Sequence, residues 1–118
     1  MITVSVVLSS EGVIGELVAE GHAAMARKGS DIVCAAFTIL LRTFARTVEA
    51  APAVVWTLQG DDPDRFHLAV SGVGLETAAQ YRGWCEFLLR GFEDLKGDAP
   101  HAVRIEYVSS SGRLFHGS

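Results

Sequence analysis

Residues 2–37 read ITVSVVLSSEGVIGELVAEGHAAMARKGSDIVCAAF, and this stretch decides the fold class. Ile2, Val4, Val6 and Leu8 alternate with Thr3 and Ser5, the two-residue period of a half-buried strand. Ser9 to Gly12 is turn chemistry, and Val13 to Glu20 reads as a second strand, which together predict a hairpin. Small and charged residues fill Gly21 to Gly29, a loop. Ser30 or Asp31 then caps a helix that runs to about Ala50, with Pro52 just past its end.

Working outward, Val54 to Gln59 and Arg65 to Ser71 read as strands around the turn Gly60-Asp61-Asp62-Pro63-Asp64. Gly72-Val73-Gly74 leads into a long helix, Glu76 to about Lys96, stopped by Gly97-Asp98-Ala99-Pro100. Ala102 to Val108 is a last strand with a polar tail. The predicted order is ββαββαβ, an α+β domain with two helices on a mostly antiparallel sheet.

At 118 residues the chain reads as a single domain, 1–118, large enough for one core and too small for two. Apolar residues make up 49% and charged ones 20%, which excludes a disordered chain. A net charge of −4 argues against direct nucleic-acid binding, which asks for a basic surface. No apolar run approaches the ~18 residues that span a bilayer, so no membrane partner is expected. Met1 to Ser10 lacks the basic start of a signal peptide and reads as structure. Cys34 and Cys85 are too few for a disulfide framework, and the expected compartment is the reducing cytoplasm. With the four histidines they show no CxxC or HxxxH spacing, so no structural zinc site is expected, and the cysteine chemistry described below calls for no metal or organic cofactor.

The chemistry lies in Gly21-His22-Ala23 and Gly29-Ser30-Asp31-Ile32-Val33-Cys34-Ala35-Ala36. A histidine follows a glycine at the end of a strand, and a cysteine stands in the first turn of a predicted helix. A helix start favours a thiolate, and an imidazole can serve as its base. The residues leave a second reading of Cys34 open, that of a small core hydrophobe. Winding Asp31 to Glu49 at ~100° per residue places Cys34 with Asp31, Thr38, Arg42, Arg46 and Glu49. Ile32, Val33, Ala36, Phe37, Ile39, Leu40 and Phe44 fill the other arc, so Cys34 is expected at the edge of a polar face. Backbone N–H groups near Ile32 to Cys34 could hold an oxyanion. Asp31 is either a helix N-cap alone or also the group that orients His22. Cys85, beside Trp84, Phe87 and Leu88, reads as core or interface packing. Gly83 and Gly91 cost ~1 kcal/mol each inside a helix. Close packing against another element, or a second subunit, would explain them.

At these residues the chain resembles the ribosomal-processing cysteine protease family, Prp. The resemblance rests on the two motifs quoted above, and the length, element order and Gly72 to Ala79 segment agree with it. It implies a homodimeric α+β endopeptidase that removes the short N-terminal extension of large-subunit ribosomal protein twenty-seven. Its nucleophile and base map onto Cys34 and His22, and its aspartate onto Asp31. Thr38 stands where members carry serine and keeps the hydroxyl in a supporting position; Phe37 before it is bulkier than the family pattern. The loop Ala23 to Ser30, with Gly21, Met25 and Gly29, is the part expected to move over substrate. From another class, the rival reading is a non-catalytic homodimeric module that binds ribosomal proteins.

Overall fold

The computed structural model describes residues 1–21, 28–62, 65–110 and 114–115. Its elements are β1 (Ile2–Leu8), β2 (Ile14–Glu20), α1 (Lys28–Ala50), β3 (Val54–Asp62), β4 (Arg65–Val73), α2 (Leu75–Asp98), β5 (Val103–Ser109) and β6 (Leu114–Phe115). The strands form one sheet in the order β3-β4-β2-β1-β5-β6. Among the described residues β1–β5 is the one parallel pairing, and the rest are antiparallel. The crossover explains the exception, because β5 is reached through α2 rather than through a tight turn. The predicted α+β class and the order ββαββαβ hold, with β6 added from the polar tail.

The period-2 pattern of β1 decides which face is covered. Ile2, Val4 and Val6 are completely buried, and Leu17, Ala19, Phe66, Leu68, Val103 and Ile105 continue the same side across the sheet. Helix α1 lays Phe37, Leu41, Phe44, Ala45 and Val48 on this face, and α2 adds Tyr81, Cys85, Leu88 and Phe92. Phe37 stacks on Phe92 while Phe44 meets Tyr81, so the two helices run antiparallel. The opposite face of the sheet carries polar pairs, including His67 with Glu16 and Arg104 with Glu106 at 3.2 Å.

Several boundaries differ from the sequence reading. Helix α1 starts at Lys28, so Ser30 and Asp31 are first-turn residues rather than N-caps. Both are tolerated there, and an acidic residue in the first turn favours the helix dipole. Strand β3 runs on to Asp62, so Gly60, Asp61 and Asp62 of the expected turn belong to the strand; Pro63 and Asp64 lie outside the described residues. Helix α2 continues through Gly97 to Asp98, because a single glycine weakens a helix without ending it.

One polar node ties α2 to the sheet. Val7 pairs with Glu16 and Leu8 with Ile14, which leaves Gly15 as an extra residue in β2. Pairing of β2 with β4 begins only at Glu16. Ile14 therefore lies beyond the reach of β4, and side chains of α2 take the place of the missing strand. The Tyr81 hydroxyl donates to the Ile14 carbonyl, and the Ile14 N–H donates to Cys85 Sγ at 3.4 Å. Burial pushes both the Tyr81 phenol and the Cys85 thiol above their ordinary ranges.

Replacing Tyr81 with Phe leaves a buried carbonyl without its donor and should cost about 1–2 kcal/mol in urea unfolding. The unfolded chain ionises Cys85 near pH 8.5 and Tyr81 near 10, while the fold keeps both protonated. Stability should thus be fully present below about pH 8.5 and decline as pH rises beyond it. The decline should be shallower in Cys85→Ala; an unchanged slope in that variant would remove Cys85 from the account.

Candidate active site

Cys34 stands in the second turn of α1, not the first, because the helix begins at Lys28. This moves it past the first four N–H groups, the ones a helix leaves unpaired. The N–H groups of Ile32, Val33 and Cys34 are committed to carbonyls one turn back. Committed in this way, they are not free to form the oxyanion site expected from the sequence.

The faces of α1 also need correction. Its buried line is Phe37, Leu41, Phe44, Ala45 and Val48, and Cys34 continues that line one turn toward the N-terminus, half-buried against the core. Ile32 and Ile39, expected inside, are 73% and 60% exposed. The apolar arc of the helix is wider than the sheet can cover, so the surplus faces outward. Cys34 is thus flanked by the core on one side and open on the other, which leaves its thiol partly accessible.

Thr38 Oγ1 donates to the Cys34 carbonyl at 2.8 Å. This is the usual back-bond of a helical threonine to the preceding turn, and it directs the hydroxyl at the backbone instead of the thiol. Phe37 is fully buried beneath the helix and stacked on Phe92, so its extra bulk serves the core and lines no substrate pocket. The spacing to Leu41 and Phe44 was the available signal for that.

Gly21 closes β2 with φ +75°, in the left-handed region that favours glycine. A Cβ built there would lie 2.5 Å from the Met1 carbonyl oxygen, so a side chain is excluded by space as well as by φ. The chain therefore leaves the sheet at this point in a direction only glycine permits. His22, Ala23 and Met25 lie outside the described residues. Gly29, Ser30 and Asp31 belong to the first turn of α1, so the expected loop of 23–30 gives up its last three positions to the helix. The side chain of Asp31 is not among those described. Among the described residues no group of three His, Cys, Asp or Glu side chains gathers to hold a metal ion.

The model of the family described as cysteine protease Prp matches residues 1–104. The chain belongs to the Prp cysteine protease family. Membership makes it a cysteine protease. The fold agrees with the ribosomal processing protease Prp from S. aureus in complex with a substrate peptide, with TM-score 0.75 and 20% identity. That alignment covers 91% of this chain and 99% of the other. The structure of SMU.848 from Streptococcus mutans aligns with TM-score 0.79 and 23% identity, over 93% of this chain and 96% of that one. No curated protein sequence matches significantly.

The two thiols of this Prp family member should differ sharply in reactivity. Cys34 is only partly buried, whereas Cys85 is 1% exposed with its thiol pushed up by burial. Brief iodoacetamide treatment at neutral pH followed by peptide mapping should label Cys34 well before Cys85. Equal rates would deprive Cys34 of its physical case as a nucleophile.

Proposed function

We propose that this Prp family member is the endopeptidase that removes the N-terminal extension of large-subunit ribosomal protein twenty-seven, with Cys34 as nucleophile and His22 as base. The observation that carries this reading is the family match, which runs through both residues and includes the accessible thiol of α1. The S. aureus structure of the same fold, an essential ribosomal processing protease with a substrate peptide, supports the substrate class.

In this reading His22 takes the proton of Cys34, and the thiolate attacks the scissile carbonyl to give a tetrahedral oxyanion. Collapse expels the amine, which leaves with the proton held by His22. Water, deprotonated by the same imidazole, then releases the acid product from the thioester and restores the thiol. Asp31, in the first turn of α1 and ahead of Cys34 in the same motif, is assigned to orienting His22. The loop containing Gly21, Ala23, Met25, Gly29 and Ser30 is assigned to covering the peptide. Intact-mass analysis after incubation with the host's ribosomal protein twenty-seven should show loss of its N-terminal extension. Cys34→Ala and His22→Ala should abolish the cleavage, and Asp31→Ala should slow it less; persistence of cleavage in Cys34→Ala would sink the reading.

A homodimer belongs to the same proposal. The outer face of the helix layer exposes Ile39 and Phe87 around an apolar groove of about 430 Å³ that Leu40 and Trp84 also line. Gly83, one turn from Phe87, meets nothing within 4 Å of a built Cβ, so no packing among the described residues accounts for it. A helix of a second copy would cover both features. Light scattering should report a dimer, and Phe87→Glu should shift it to monomer; a wild-type monomer at micromolar concentration would refute the assembly.

A further inference from the structure

We infer that the stacked pair Phe37–Phe92, with Leu40 seated on Gly91, is a positioning device that sets the placement of the Cys34 thiol. The inference rests on Cys34 being the nucleophile. Phe37 lies one turn beyond Cys34 on the same helix, and both rings of the pair are completely buried. Their centroids are 4.6 Å apart and their planes differ by 7°, a near-parallel stack in the favoured distance range for aromatic pairs. The contact beside it is equally tight. A Cβ at Gly91 would stand 3.0 Å from Leu40 Cδ1, so a methyl there would press on the Leu40 side chain that reaches from α1 to α2.

Phe37 and Leu40 are successive inward and sideways positions of α1, while Gly91 and Phe92 are adjacent on α2. Together they hold α1 against both rotation and axial slip at the end of the helix that carries Cys34. The other end is held independently by Phe44 against Tyr81 and by the buried Val48. A nucleophile displaced by a fraction of an ångström attacks poorly even when the fold is intact, and an error of about 1 Å can cost on the order of 100-fold. Phe37 and Phe92 touch no substrate in this account. They act through the helix.

The test compares Phe92→Leu with Val48→Ala, a core change at the far end of α1, on the full-length protein at a temperature where thermal melts show both variants folded. Phe92→Leu should lower kcat about tenfold with KM within about twofold. It should also raise the rate of Cys34 carboxamidomethylation, a readout that needs no substrate. Val48→Ala should leave kcat and labelling near wild type although it too loses stability. Gly91→Ala should lower kcat as well, and Gly91→Ala with Leu40→Val, which makes room for the methyl, should recover it. Wild-type kcat and labelling in Phe92→Leu, or equal losses in Val48→Ala, would overturn the proposal. Cleavage that persists in Cys34→Ala would instead strike the functional reading, and the labelling rates would still decide whether the stack places this thiol.

Discussion

Burial of a single sheet face under two antiparallel helices is the constraint on which the rest of this structure depends. Strand β1 sits in the middle of the sheet with partners on both edges, and its three inward side chains see no water. Each such residue removes a large apolar side chain from solvent, worth about 1.5–3 kcal/mol. Both helices must therefore lie flat over β1 and its neighbours. The position of α1 follows from that demand, and with it the depth at which Cys34 is set.

The same constraint explains how a half-buried thiol arises. A helix on a sheet buries a line of residues and exposes the opposite line, with intermediate positions between them. Cys34 extends the line of Phe37 and Leu41 just where α1 nears its start, so the core supports one side of it and leaves the other open. Cys85 presents the contrasting case. It lies mid-helix under the sheet, accepts a hydrogen bond from Ile14 and is kept protonated by burial. Two cysteines in one small chain thus differ in burial through position alone.

Irregularity in the sheet is met by the helices rather than by water. The extra residue Gly15 pulls Ile14 away from β4, and Tyr81 with Cys85 satisfy both of its backbone groups. An unpaired buried peptide group would cost about twice the net gain from an ordinary hydrogen bond. Helix α2 is therefore anchored at this end by polar contacts and at the other by the Phe92 stack. That arrangement gives α1 a rigid surface to lie on.

The strands and helices were legible from residue order because period 2 in Ile2–Leu8 and the apolar run of α1 are local properties. The family motifs around His22 and Cys34 were legible for the same reason: they are contiguous and chemically specific. The beginning of α1 was not, since Ser30 and Asp31 suit a cap and a first turn equally well, and the choice depends on where the chain leaves β2. Nor could residue order tell which apolar residues of α1 face inward. Ile32 and Phe37 are both large and apolar, and only the width of the sheet and the approach of α2 at Gly91 decide that one is exposed and the other stacked. Hydrophobicity states that a residue gains by burial, whereas geometry limits how many can be buried at once.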